Sequence, residues 1–405
     1  MTRIEPSRNT RTTPRRTVLI SGAGIAGPAL AFWLNRYGFA VTVVERAGAV
    51  RGGGYPIDVR GTALEVVRRM GILPRLRDAH IDLRRMSFLD ADGSEVASVD
   101  PRTVTGGAGG DLEVPRGELT AALHTAVHDD VEFLFDDSAD TLEQTGHAIE
   151  VTFRGGGTRT FDMVIGADGL HSRTRGAVFG PEELFHRHLG YCFAGFTMRN
   201  TFGLCSETVL WNTPGRAAAL YAAGDSDDEV HALLNFAHPE PPFDAYRDPE
   251  AQRELVAAVF ADAEWEVPGM LAAMRDADDL FFDSVGQIRM PRWSSGRVAL
   301  VGDAAYAPSF FTGQGSSLAL VGAYMLAGSL ADREHAAGFA AYEHGTREFV
   351  ILNQDQVGEG DAVLFPATAA ALEQRNDMLR DLATAPAATE RPAHSALMLP
   401  EFTCD

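Results

Sequence analysis

The 405-residue chain contains no lysine: all 35 of its basic residues are arginines. That absence removes a Schiff-base lysine, a pyridoxal phosphate anchor and a phosphate-loop lysine from the possible chemistries. Cysteine is almost as scarce. Cys192, Cys205 and Cys404 show neither a CxxC pair nor metal-ligand spacing, and three thiols cannot build a paired disulfide framework. Free thiols and a cytoplasmic location are the expectation. His171, His186, His188, His231 and His238 are scattered without ligand spacing, so no metal is expected. Long apolar runs are missing too. The longest, Leu318 to Ala327 and a little beyond, is too short and too glycine-interrupted to span a bilayer and reads as a buried helix. Positive charge is in deficit, with a net charge of −21, which argues against nucleic acid and anionic membrane surfaces as partners. The exception is residues 1–16, where five arginines against Glu5 give +4 and leave −25 for the remainder. This stretch lacks the apolar core of a secretory signal and reads as a disordered leader.

What is present is ordinary globular composition, 45% hydrophobic and 22% charged, in a chain long enough for two domains. Its organising stretch runs from Thr17 through Ser21-Gly-Ala-Gly-Ile-Ala-Gly27 to Val41-Thr-Val-Val-Glu45-Arg46. The parts read as a buried strand, a glycine turn, a helix ended by Gly38, and a second buried strand ending in an acid. Gly22 lets the chain turn off the strand, Gly24 and Ala26 leave room for a pyrophosphate at backbone N–H groups, and Gly27 lets the helix pack closely on the sheet. Glu45, 18 positions beyond Gly27, is placed to accept from a ribose hydroxyl, with Arg46 beside it. The pattern predicts dinucleotide binding, with FAD and NAD both open.

Further along, Arg51–Arg60 is a glycine-rich loop, and Thr62 with Glu65 reads as a capping box on a helix closed by Gly71. Arg84–Val99 reads as a hairpin around Asp92-Gly93, and Gly106–Gly110 as a flexible return. A helix is expected from Arg116, a strand at Val131–Phe135, a hairpin over Ile149–Phe161 turning at Gly155–Gly157, and a buried strand at Met163 leading to Asp168-Gly169. Ser172, Arg173 and Arg175 open a short helix there. Residues 184–287 read as an antiparallel sheet with turns such as Ala222–Asp225 and helices on one side. Arg297–Asp303 returns as a buried strand, Thr312–Leu318 as a glycine turn opening a helix, and 333–382 as a further helical stretch. The Pro/Ala-rich tail from Ala383 is expected to be disordered.

Three motifs therefore occur in order: GAGIAG with Glu45, Gly166-Ala-Asp168-Gly-Leu-His-Ser172-Arg-Thr-Arg175, and Gly302-Asp303-Ala-Ala-Tyr306 through Gly313-Gln314-Gly315. Over residues 17 to 350 the chain resembles the FAD-dependent aromatic hydroxylases of the para-hydroxybenzoate hydroxylase type, and among them the tetracycline-inactivating monooxygenases and related tailoring oxygenases. The resemblance implies an α/β fold: a Rossmann-type FAD-binding domain, a second antiparallel β-sheet domain for the substrate, and C-terminal helices. The boundaries read as 17–80, 111–183 and 288–330 for the FAD part, 81–110 and 184–287 for the substrate part, 331–382 for the helical segment and 383–405 for the tail. It further implies that Asp168 stabilises the FAD site and is linked to the nicotinamide cofactor. Asp303 would meet ribityl and ribose hydroxyls, and Arg116 the ribityl or pyrophosphate. Gly313, Gln314 and Gly315 would set N–H groups and a helix N-terminus at the anionic edge of reduced flavin. NADH or NADPH would be a transient reductant, since no second GxGxxG occurs. The partners implied are dioxygen and an aromatic or polyketide-like small molecule, acting on a monomer or homodimer.

The sequence departs from that family at one loop. Histidine and a proline pair are usual where Tyr306, Ser309 and Phe310 stand, with a single proline displaced to Pro308. Phe310 could narrow the pocket, fit a bulky apolar substrate, or mark a reductase or oxidase; the loop could equally be only repacked. Pocket candidates are Tyr55, Asp58, Arg60, Phe310 and Phe311, with Phe196, Tyr221 and Phe236 from the sheet. Arg60 either holds a substrate oxyanion or carbonyl, or pairs with Asp58. No nucleophile or triad is found, and the catalytic residue is left unassigned. Natural-product tailoring or antibiotic modification is the implied setting, against a reductase or oxidase on the same scaffold and a non-redox protein that binds a ligand.

Overall fold

Val18, Leu19 and Ile20 have no solvent exposure, and the strand they belong to, Thr17–Ser21, sits inside the central sheet of a computed structural model of the chain. The structure describes residues 15–50, 52, 55–105, 110–223, 228–242, 245, 248–358, 364–382 and 391–402. Most of the leader, most of the Arg51–Gly54 loop, the 106–109 return and part of the Ala222–Asp225 turn lie outside the described residues.

The central sheet has the order Ser294–Ser295, Val298–Leu300, Met163–Gly166, Thr17–Ser21, Ala40–Val44, Glu132–Leu134. All pairings but the first are parallel, and strands covered on both faces read as continuous apolar runs. The helix Ala26–Arg36 crosses between the first two parallel strands. A methyl group at Gly27 would run into the Gly22 carbonyl, so glycine there is a condition of the tight turn. The helix Gly315–Leu330 packs against it and is buried on every side, as an all-apolar helix must be. Among the described residues no helix is long and apolar enough to cross a membrane.

A seven-stranded sheet runs in the order Phe281–Ile288, His186–Arg199, Glu229–Ala237, Arg216–Ala222, Glu207–Thr213, Arg85–Leu89, Glu95–Val99. It is antiparallel except where Arg85–Leu89 joins Glu207–Thr213 in parallel, because the hairpin arrives from the central sheet rather than from its neighbour. One face is covered by the helices Pro249–Val259 and Val267–Asp276, which bury Val256, Phe260, Met270 and Met274 against it. The other face looks toward the central sheet. Two smaller pairings complete the β-structure: three antiparallel strands over Ala139–Phe161, and a ribbon of Pro56–Val59 with Leu112–Pro115.

Three local expectations are corrected. Thr62 does not cap its helix. Gly61 does, at φ +53, while the Thr62 hydroxyl donates to the Leu397 carbonyl and Glu65 pairs with Arg69 at 2.7 Å. The stretch 333–382 is not continuous but forms the separate helices His335–Gln354 and Ala369–Leu382. Pro366 lacks the N–H a helix needs and biases Phe365 away from helical backbone, and Phe365 is buried against Phe311 instead. Residues 391–402 of the tail are docked. His394 is buried, Tyr324 donates to the Pro400 carbonyl at 2.6 Å, and the Phe402 ring lies over Gly328. Composition alone does not reveal such a strap, because it has no periodicity and is held by tertiary contacts.

Candidate functional site

A cavity of about 690 Å³ opens between the carboxyl end of the central sheet and the face of the large sheet opposite the helices Pro249–Val259 and Val267–Asp276. At one end it is walled by backbone. Gly22, at φ +107, swings the chain off its strand, and Gly24 and Ala26 line the space beyond. A methyl group at Gly24 would meet nothing within 4 Å, so the opening beside it is a cradle. Ile25, at the start of the helix, has no side-chain cap, which leaves N–H groups and the positive end of the helix dipole facing that cradle. The Glu45 carboxylate is fixed at its rim by N–H groups of Ala23 at 2.8 Å and Ala47 at 3.0 Å, one on each oxygen, with lone pairs to spare. Arg46 and Arg116 also line the cavity.

The two later motifs meet this turn because Arg175 ties them together. Its guanidinium is fully buried and donates to the carbonyls of Ala304 at 3.1 Å and Leu170 at 2.7 Å and to Glu182 at 2.6 Å. Asp168 reaches the cavity, but its carboxylate accepts from the Ser172 hydroxyl and from the Thr174 N–H and hydroxyl, both at 3.0 Å. Its evident work is to shape its own loop. Ser172 in turn caps the helix Arg173–Phe179 through the Arg175 N–H at 2.9 Å. Asp303 opens a one-turn helix after Gly302, which takes φ +65, and faces the cavity. Burial pushes its carboxyl up to about 6, with the Arg116 charge pulling the other way.

The third motif closes the floor. Gly313 at φ +62 and Gly315 line the cavity, and Gly315 begins the long buried helix. Gln314, expected to contribute its backbone N–H, turns its side chain away from the cavity. That side chain is fully buried, and neither amide atom has a hydrogen-bond partner. An unsatisfied buried amide costs roughly 1–3 kcal/mol, so a polar group is wanted there. The open cradle at Gly24, the uncapped helix start and the free lone pairs of Glu45 together fit a dinucleotide.

The opposite end is aromatic. Phe310 stacks on Phe193 with centroids 4.9 Å apart, and Tyr55 meets Phe193, Phe281 and Phe310 edge-on at 6.1–6.5 Å. Phe311 lines the same wall beside Tyr191 and Phe365. Burial pushes the Tyr55 hydroxyl up to about 12. Ser309 takes φ +92, a strained setting for a residue with a Cβ, and this presents Phe310 to the cavity. Tyr306 is repacked away from it, against Trp293 and the Tyr342 hydroxyl at 2.9 Å.

Asp58, Arg60 and Tyr221 line the cavity, and Asp58 pairs with Arg60 at 2.8 Å. Phe196 and Phe236 do not. Both lie on the helix-covered face of the large sheet, because side chains alternate and it is Phe193, Leu233 and Asn235 that point inward. Sequence parity offers two sets per strand and does not say which one faces the ligand. Glu113 and Asp283 were missed altogether. Glu113 sits opposite Asp58 in the short ribbon, between the buried Leu112 and Val114, an alternation visible in the sequence but only three residues long. Asp283 holds His171 at 3.1 Å, and Glu182 holds the other ring nitrogen at 2.8 Å. Burial disfavours the imidazolium, but the two carboxylates prevail and raise His171 to about 10.

The profile of a family described as FAD binding domain matches residues 15–350. An uncharacterised protein of Mycobacterium tuberculosis is 45% identical over 347 residues, 84% of this chain and 92% of its own. A flavin-dependent monooxygenase of an unknown prokaryotic organism is 34% identical over 391 residues, covering 96% and 99%. Among solved structures, that of tetracycline destructase Tet(55) superposes with a TM-score of 0.82 at 34% identity, covering 96% of this chain and 99% of the other.

Proposed function

The chain belongs to the FAD binding domain family and is an FAD-dependent oxidoreductase of the flavin-dependent monooxygenase kind; from that premise we propose that it oxygenates a planar, polycyclic, polyketide-like small molecule at the expense of NADH or NADPH. When bound, FAD supplies hydride acceptance and the activation of dioxygen, and the protein supplies position, dryness and charge. Residues 17–80, 111–183 and 288–330 carry the cofactor, and 81–110 with 184–287 carry the substrate. Gly22, Gly24, Ala26 and the helix start hold the pyrophosphate, with Gly27 setting the turn. Glu45 and Arg46 hold the adenosine ribose end, and Arg116 and Asp303, placed by Gly302, the linking hydroxyls. Gly313, Gly315 and the backbone of the Gln314 turn between them would face the ring system, where the dipole of a 16-residue helix favours negative charge.

The observation that carries the substrate class is the aromatic box of Tyr55, Phe193, Phe281 and Phe310 at the far end of the same cavity. Offset and edge-on rings of this kind favour a flat conjugated ligand. The similarity over the whole chain to an enzyme named for tetracycline supports an antibiotic or natural-product setting. Phe310, in place of the usual proline, supports a second reading: a reductase or oxidase on the same scaffold. Anaerobic mixing of the yellow protein with NADH or NADPH, with and without polycyclic phenols, tests the first reading. Flavin bleaching accelerated by the phenol is expected. Bleaching indifferent to every polycyclic ligand, with hydrogen peroxide formed in full on re-aeration, would support the second.

A further inference from the structure

Glu113 is a carboxyl with no part in the cofactor end of the cavity. It stands on the strand Leu112–Pro115, where Leu112 and Val114 face the core and alternation turns Glu113 into the cavity. The Tyr221 hydroxyl donates to its Oε1 at 2.9 Å, from the Arg216–Ala222 strand of the large sheet. The pair therefore bridges the two sides of the substrate space. Asp58 lies across the ribbon from Glu113, and Arg60 is engaged with Asp58 at 2.8 Å. A half-buried carboxylate whose side-chain hydrogen bond comes from a neutral hydroxyl is costly, and its position on a cavity wall gives it something to do.

Resting on the functional reading above, we propose that Glu113, acting through the Tyr221 hydroxyl, is the proton acceptor of the substrate site, and that the substrate carries an acidic phenolic or enolic hydroxyl beside the carbon to be oxygenated. The substrate O–H bond breaks, its proton passes to the Tyr221 oxygen as the Tyr221 proton passes to Glu113, and a Glu113 O–H bond forms. The electron pair stays on the substrate oxygen, so negative charge moves from Glu113 to the ring and enriches the carbon that attacks an electrophilic oxygen. No oxidant is consumed in this step. Burial, helped by the Asp58 charge and opposed by Tyr221 and Arg60, pushes Glu113 up to about 7, where a general base works best near neutrality. Burial and Glu113 also push the Tyr221 hydroxyl upward, which keeps it protonated and able to relay. His231, 6.5 Å from the Tyr221 ring, is pushed down by burial, with Asp279 and Glu229 pulling the other way. His80 touches Glu113 only at its backbone, with Nδ1 3.2 Å from the N–H.

The test uses the FAD-loaded enzyme and alizarin, a dihydroxyanthraquinone whose absorption moves to the red on ionisation. Wild type is expected to lower the apparent pKa of bound alizarin. Glu113→Gln keeps an acceptor for Tyr221 but cannot take a proton, so it is expected to retain FAD and lose that lowering. Turnover should fall roughly 100-fold at pH 7, a deficit that shrinks once the phenol ionises by itself. Tyr221→Phe should show the same signature in milder form. A wild type that leaves alizarin's ionisation unmoved, or a Glu113→Gln enzyme with unchanged ligand spectrum and pH profile, overturns the proposal. Ionisation is read without turnover. An enzyme that ionises alizarin but oxygenates no polycyclic phenol would therefore overturn the functional reading and leave the proton acceptor standing.

Discussion

The Phe310 ring lies over that of Phe193 with the planes 16° apart and the centroids 4.9 Å apart. The first residue belongs to the loop between Asp303 and Gly313 and the second to the large sheet, so the pair joins the two walls of the cavity. Its orientation depends on Ser309, held at φ +92 with its hydroxyl accepting from the Phe311 N–H at 3.3 Å.

Replacing Phe310 by alanine removes one aromatic partner, worth about 0.5–1.5 kcal/mol beyond area. The expected outcome is a rise of roughly three- to ten-fold in KM for a polycyclic substrate, with flavin content unchanged. Flavin absorbance per protein and steady-state kinetics on the same preparation check both halves. If Phe310 instead blocks the oxygen chemistry, Phe310→Pro should raise the yield of oxygenated product per NAD(P)H.

Two glycines of one turn should behave differently. Gly24→Ala adds a methyl group into open space, so the apoprotein should keep its thermal midpoint while FAD binds more weakly. Gly27→Ala drives a methyl group into the Gly22 carbonyl and should destabilise the apoprotein itself. Thermal melts of both apoproteins, followed by FAD titration, separate a binding role from a packing role.

Asp303→Ala should lower FAD affinity roughly ten- to a hundred-fold, the cost of losing a charged hydrogen-bond acceptor of about 1.5–3 kcal/mol. The same carboxyl is raised to about 6, so its contribution to apoprotein stability is complete below the ordinary aspartate range and is lost as the pH rises through about 6. At pH 7 the apo Asp303→Asn variant should therefore melt no lower than wild type. Full FAD occupancy in the alanine variant would remove Asp303 from the cofactor site.

His171, raised to about 10 between Glu182 and Asp283, binds its proton more tightly folded than unfolded. Its contribution is present in full below about 6.5 and declines as the pH rises through about 10. Urea unfolding across pH 6 to 10.5 should show this decline in wild type and a flatter profile in His171→Asn. Equal slopes would show that the two carboxylates do not hold an imidazolium.

The glycine-turn end of the cavity was legible in the sequence because each of its parts has a local signature. Glycines at fixed spacing, an acid at the end of a buried strand and a helix start can be read without knowing the fold. The substrate end was only partly so. Tyr221 was identified but Phe193, Glu113 and Asp283 were not, since which face of a strand looks into a cavity is decided by the helices Pro249–Val259 and Val267–Asp276 covering the other. The same tertiary logic pinned the Pro/Ala-rich tail through His394 and Phe402, which periodicity does not announce.

The most direct measurement is the mass of the product formed from a hydroxylated polycyclic substrate, NAD(P)H and isotopically labelled dioxygen. The account predicts one labelled oxygen atom in the product and one NAD(P)H consumed per turnover. A product without label, or NAD(P)H oxidised only to hydrogen peroxide with every such substrate, would contradict it.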